Sequence, residues 1–383
     1  MKNLFCYGPL GWVPLLERVL GRSADGLDLG PAVVPDHVIG AGPGPFAACL
    51  VSRPGSGAAG LLLRVDDALG ARIEFLTGGL GFETMMVQAY PAGVATTGNG
   101  GAVTAQSWSA PQGVAEDTRP WHSERWLAAW GVLARHAVDE AMAGYPATDG
   151  PTLARRMPMI LNRAAAFQRG WRQGRKPTLG REMTRSDVKV LARSWPYSNF
   201  FAMQEHRLQF RRFEGGFSGI VERAVFAGFD AVIVLPYDPK RDRVVLVEQF
   251  RPGPHARGAR YPWSLEPVAG HVDLGETPPE AARRETAEET GLALERLLPI
   301  SQSYPSPGCS SEYHYIYLGL CDSAGLHRNT GGVAAEHEDI RRHVIPFARL
   351  MELIDSFEID NSPLVLAAHW LARHRDALRT EAD

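Results

Sequence analysis

Residues 270–292 read GHVDLGETPPEAARRETAEETGL, and three of their carboxylates fall into a pattern that could hold metal. Glu285, Glu288 and Glu289 stand at i, i+3 and i+4, so a helix would project all three from one face. The surrounding residues specify that helix. Thr277 is a natural N-cap, Pro278 suits the first helical position and Glu280 completes a capping box. Gly291 supplies the stop. Three like charges on one face repel one another unless something cationic sits among them. Arg283 and Arg284 offset part of that repulsion. A hard divalent cation offsets more, because carboxylate oxygen is its preferred ligand. Taken alone, the pattern also describes an exposed, salt-bridged helix face.

The complete spacing is more specific. Gly270, Glu276, Arg284-Glu285, Glu288-Glu289, Thr290 and Gly291-Leu292 together resemble a Nudix box. That family is named for hydrolysing nucleoside diphosphates linked to another moiety. Thr286 departs from the pattern, which normally has an aliphatic residue there; threonine is β-branched and close in size to valine. Beyond the box, residues 197–380 resemble the ADP-ribose pyrophosphatase branch. Pro307 lies fifteen residues after Leu292, where that branch carries a proline. Glu336-His-Glu-Asp-Ile340 resembles its catalytic loop, and Ile359-Asp-Asn361 the entry to its last helix.

The resemblance implies a set of roles. Glu285 and Glu289 would bind Mg²⁺, with Mn²⁺ as a possible substitute, joined by the backbone carbonyl of Ala269. Glu288 would serve as a further ligand or stand just behind one. Glu276 would pair with Arg284 and hold the loop against the helix, with Gly270 as a fixed position of the motif. The general base would come from a loop outside the box, where Glu336 matches the family's position and Glu338 is the nearby alternative. Arg223 and Arg251 would contact phosphate or nucleoside, since the planar guanidinium fork suits phosphate. Glu312, after the substrate-binding loop of Pro307, would line the terminal-ribose side, and Phe213 would stack on adenine. Relatives in this branch form homodimers by exchanging strands, here supplied by residues 210–226.

This set suits the chemistry. A pyrophosphate is doubly anionic and repels hydroxide, so metal must neutralise it and lower the pKa of a bound water. A carboxylate outside the metal helix can then take that water's proton.

Elements must position these residues, and the sequence outlines them. Residues 231–235 and 243–250 are Val/Leu-rich runs joined by a turn, which reads as a β-hairpin. A strand is expected at 265–272, a helix at 277–290 and a further strand at 313–320. Helices are expected at 347–357 and 363–378. The resemblance implies an α/β/α sandwich with a mixed sheet, within an overall α/β (α+β) class. Upstream, residues 121–142 and 151–171 have helical spacing. Residues 151–213 hold 14 Lys+Arg against three acids, 14 − 3 = +11. Such a segment reads as a solvated connector, or as a positive rim that attracts a polyanion.

The first 118 residues are rich in Gly and Pro, with short runs at 60–65 and 85–89 that read as strands. Leu4-Phe-Cys-Tyr-Gly-Pro-Leu10 and Val19-Leu-Gly21 resemble the opening of gamma-glutamylcyclotransferase-like domains, which are β-barrel-like. Pro9 replaces that family's serine and removes a backbone donor. Glu74-Phe-Leu-Thr77-Gly78 matches the end of a later strand there, with Thr77 in place of the catalytic glutamate and Glu83 close by. The resemblance implies a domain that keeps the fold without the reaction. The fused arrangement resembles bacterial Nudix proteins associated with tellurite resistance.

Composition sets the outer bounds. The 383 residues allow two domains or three, and the expected division is 1–118, 119–195 and 196–383. Forty Lys+Arg against 43 Asp+Glu give a net charge of −3, which argues against a bulk-charge nucleic-acid binder. Four scattered cysteines support neither a disulfide scaffold nor a zinc site. No export signal or membrane helix is expected, and the location expected is cytoplasmic. The expected partners are a small nucleotide and a second copy of the chain, with no membrane or specific nucleic acid. The leading reading is Mg²⁺-dependent hydrolysis of ADP-ribose to AMP and ribose 5-phosphate. Its alternatives are another nucleoside diphosphate sugar or dinucleotide, an idle nucleotide sensor, and cyclotransferase activity in the first domain.

Overall fold

The computed structural model describes residues 1–93, 101–109, 119–174, 176–326, 330–331 and 339–381. Contacts divide the chain into two units, Met1–Val225 and Phe226–Asp383.

The first unit opens with β1 (Lys2–Cys6), α1 (Val13–Leu20), β2 (Asp28–Ala41), β3 (Ala48–Val65) and α2 (Asp67–Gly79). It continues through β4 (Glu83–Pro91), β5 (Val103–Ser109), β6 (Arg119–Pro120), α3 (Ser123–Ala143) and α4 (Gly150–Arg172). Strands in the order β3-β1-β5-β4-β2, with β2 pairing back to β3, close a five-stranded barrel. Phe5, Tyr7, Val34, Val87 and Ala105 fill its interior. A closed barrel leaves few open edges, which lets such short, glycine-rich strands persist.

Glu74 to Gly78 lie inside α2, so the expectation of a strand end there is corrected. The Asp66 carboxylate caps the helix by accepting from Leu69 N, and Ile73 and Leu76 are buried on one face. The Thr77 hydroxyl donates to Ile73 O at 2.9 Å. Thr77 shares a cavity of about 30 Å³ with Tyr7, Pro9 and Trp108, room for about one water. Among the described residues no carboxylate, imidazole or cationic side chain lines it.

The stretch 119–195 is helical only in part. After α3 and α4 come β7 (Val188–Ser198), β8 (Ala202–Phe210) and β9 (Val221–Ala227), which form a three-stranded sheet. Much of the positive charge here is engaged locally. Arg163 forms an ion pair with Glu140 at 2.7 Å, the side chains being 2% and 0% exposed. Arg163 also donates to the carbonyls of Asn199 and Phe200. Arg193 meets Asp139, Arg211 meets Asp187, and Arg185 lies over the Phe167 and Trp171 rings.

The second unit begins with β10 (Asp230–Asp238), β11 (Arg243–Phe250), α5 (Pro252–Arg257), β12 (Trp263–Glu266), β13 (Val268–His271) and α6 (Pro278–Thr290). There follow β14 (Arg296–Ser303), β15 (Tyr313–Leu320), β16 (Thr330–Gly331), β17 (Ile340–Pro346), α7 (Phe347–Asp355) and α8 (Ser362–Thr380). The sheet runs β14-β15-β10-β11-β17-β16, with β13 added to β10 and β12 to β11. β10 and β15 are parallel and the other pairs antiparallel, so the sheet is mixed. Alternate side chains of the buried central strand serve opposite faces. Val232 and Val234 pack with Ala281 and Ala282 of α6. Ile233, Leu235 and Tyr237 pack with Leu350, Leu364 and Leu371 of α7 and α8. This is the expected sandwich.

The strand expected at 265–272 is two strands on different partners. Pro267, which has no N–H for a ladder, separates β12 from β13. Among the described residues no helix is long and apolar enough to cross a membrane.

Candidate active site

α6 forms as its sequence demands. Thr277 N and Oγ1 bond Glu280 Oε2 at 2.8 and 2.7 Å. Gly291 ends the helix in the left-handed region, at φ 73°. Thr286 is fully buried, and its hydroxyl is satisfied by Ala282 O at 2.7 Å. The residue that departs from the motif therefore costs the helix no buried polar group.

Arg284 organises the exposed face. Its Nε and Nη2 donate to the two oxygens of Glu276 at 2.7 and 2.9 Å. Nη1 reaches Glu285 at 2.7 Å and Glu288 at 3.0 Å, while Nη2 also donates to His271 O at 3.1 Å. The hydrogen bonds that Arg284 donates to Glu276 hold the Glu276 carboxyl below its ordinary value, and the same bonds raise the Arg284 guanidinium further. The loop before the helix is thereby fastened to the helix.

Two glycines bring backbone against α6. A Cβ on Gly270 of β13 would fall 1.9 Å from Cδ of Glu285. A Cβ on Gly331 of β16 would fall 1.9 Å from the carbonyl oxygen of Glu289. Ala269 lies beside Gly270, paired with Ile233 of β10. Glu289 is 2% exposed, so its charge is removed from water.

Glu285, Glu288 and Glu289 offer only oxygen, which fits a hard divalent cation and not a soft one. Among the described residues no three metal-ligating side chains converge on one point. Glu285 and Glu288 meet instead on the Arg284 guanidinium. The space that Gly270 leaves for the Glu285 carboxylate is a cradle that any side chain would fill.

The other expected residues are dispersed. Arg251 directs its fork at Glu266, with Nε at 3.0 and 3.1 Å and Nη2 at 2.7 Å; Glu266 is buried. Glu312 lies 3.2 Å from His314 Nε2 and close above Gly228. Pro307 sits in an exposed turn tied back through Phe226 N to Cys309 O at 2.8 Å. Arg223 and Phe213 belong to the first unit. The Arg223 guanidinium donates to Glu222 O, and Phe213 is 76% exposed. Glu336 and Glu338 lie outside the described residues.

Several contacts here had no sequence signal. Glu266, Gly331 and Arg342 carry no motif of their own. His271 sits inside the box, at a position its pattern leaves open; its ring packs on Phe229 at 4.5 Å, and burial pushes its pKa down.

A model of the NUDIX domain matches residues 229–367. The ADP-ribose pyrophosphatase of Escherichia coli K12 is 38% identical over 200 residues, 51% of this chain and 93% of that protein. The ADP-ribose pyrophosphatase of Haemophilus influenzae is 36% identical over 193 residues, 49% of this chain and 87% of its own length. A GDP-mannose pyrophosphatase of E. coli O1:K1 is 30% identical over 150 residues, 39% of this chain and 77% of its own length.

Proposed function

The chain belongs to the Nudix family, and from that membership we propose that it hydrolyses the pyrophosphate bond of ADP-ribose, releasing AMP and ribose 5-phosphate. The observation that carries the reading is 38% identity to an ADP-ribose pyrophosphatase across 93% of that protein's length. The Arg284-centred carboxylate face of α6 supports it.

Glu285, Glu289 and the Ala269 carbonyl would hold Mg²⁺ or Mn²⁺, with Glu288 beside them. Such an ion would supply charge neutralisation and a more acidic bound water. Glu336 or Glu338 would take the proton of the water that attacks phosphorus. Glu276 and Arg284 keep the loop and helix in one arrangement throughout. Arg223 and Arg251 bind phosphate or nucleoside, Pro307 belongs to the substrate-binding loop, and Glu312 after it borders the terminal ribose. For Arg251 this requires sharing its fork between Glu266 and the substrate.

A homodimer through the Nudix half also belongs to this reading. Exposed Phe210, Phe213 and Ile220, within the segment 210–226 expected to exchange between copies, support it. The barrel of the first unit is read as a gamma-glutamylcyclotransferase-like fold without the reaction, in keeping with the small apolar cavity at Thr77. A cytoplasmic location and a link to tellurite resistance complete the proposal.

A second reading takes another nucleoside diphosphate sugar as substrate, and the 30% identity to a GDP-mannose pyrophosphatase favours it. Product analysis with ADP-ribose, GDP-mannose and dinucleotides in Mg²⁺ separates the two. A kcat/KM highest for ADP-ribose, with AMP released, supports the first; a higher value for a competitor overturns it.

A further inference from the structure

The carboxyl end of α6 is held by two residues outside the motif. β16 and β17 pair through Thr330 with Arg341 and Gly331 with Ile340. Between those strands the chain runs through residues 332–338, which include both carboxylates proposed as the base. Gly331 therefore opens that segment, and its backbone lies against Glu289. A Cβ there would meet Glu289 O at 1.9 Å and Glu289 C at 3.0 Å. Both are backbone atoms, so no side-chain rotation relieves the clash.

Arg342 on β17 acts on the next residue. Its Nη1 donates to Thr290 O, one of the last carbonyls of the helix, which have no partner within it. A guanidinium at that end also complements the negative pole of the helix. The same side chain passes Gly331, whose Cβ would lie 3.4 Å from Arg342 Nε. Gly331 and Arg342 thus grip the turn that carries Glu289, from the strands that bracket residues 332–338.

We infer that Gly331 and Arg342 are positioning residues for the hydrolysis, holding Glu289 and the last turn of α6 in place. This rests on the pyrophosphatase reading. Each acts through Glu289 and the last turn of the helix.

The test uses the full chain, with ADP-ribose and Mg²⁺, and compares Gly331→Ala, Arg342→Met and Arg342→Lys. Gly325→Ala serves as control, because a Cβ there meets nothing within 4 Å. Gly331→Ala and Arg342→Met should lower kcat about tenfold to 100-fold, the scale of a small misplacement of reacting groups, with KM within about threefold. Arg342→Lys, which keeps one donor and the charge, should recover part of the loss. Gly325→Ala should match wild type. If Gly331→Ala does not fold, the two Arg342 variants decide. Unchanged kcat with a lowered thermal midpoint, or a lysine no better than methionine, would reduce both residues to helix caps. A wild type that splits no nucleotide tested would instead overturn the pyrophosphatase reading.

Discussion

Gly270 and Glu285 occupy one space: a Cβ on the glycine would sit 1.9 Å from the glutamate's Cδ. The motif's glycine is thus required by the carboxylate it faces, and any side chain there pushes Glu285 off its position. Gly270→Ala should lower kcat/KM for ADP-ribose at least about 100-fold and weaken activation by Mg²⁺. Overpacking should also cost about 1–3 kcal/mol of stability. Steady-state kinetics across a Mg²⁺ titration, with a urea melt, checks both; unaltered Mg²⁺ activation contradicts the account.

The Arg284 fork on Glu276 gives a pH signature. Hydrogen bonding keeps the folded-state pKa of Glu276 below its ordinary value of 4.5. A depressed carboxylate contributes stability above its unfolded pKa and loses it as pH falls through the folded one. Glu276→Gln should therefore be less stable than wild type at pH 7, by about 1–3 kcal/mol, with the gap narrowing below about pH 4.5. Denaturant melts at several pH values measure this. A gap that widens on acidification would be the wrong sign.

Glu140 and Arg163 form a buried ion pair in the first unit. Removing the carboxylate leaves a guanidinium buried without its counter-charge, so Glu140→Ala should cost about 3–5 kcal/mol. The double change Glu140→Leu with Arg163→Met should cost less than Glu140→Ala alone. Chemical denaturation of the three chains decides it.

Residues 336 and 338 can be told apart by kinetics. Loss of a general base costs about 10²- to 10⁴-fold in rate. Glu336→Gln should show that loss in kcat, and Glu338→Gln a much smaller one. The reverse ranking moves the base to Glu338.

The α6 face was legible in sequence because capping, helical period and carboxylate spacing are all local. The grip of Gly331 and Arg342 was not, since it joins segments far apart in the chain and neither residue has a distinctive neighbourhood. Charge hid β7, whose alternating Val188 and Val190 stand among Lys189 and Arg193. At Glu74 to Gly78 a short motif was aligned as a strand end. The Asp66 cap and the Ile73–Leu76 spacing already specified a helix there. Pro267 was a visible ladder breaker inside a run otherwise read as one strand.

The central claim is metal-dependent pyrophosphate hydrolysis at the glutamates of α6. Its most direct test is the release of AMP from ADP-ribose by wild type and Glu289→Gln, each with Mg²⁺ and with chelator. Wild type should turn over only with the metal, and the variant should lose at least about 100-fold, equivalent to about 2.7 kcal/mol of barrier. Turnover that survives chelation, or a variant as fast as wild type, would contradict it.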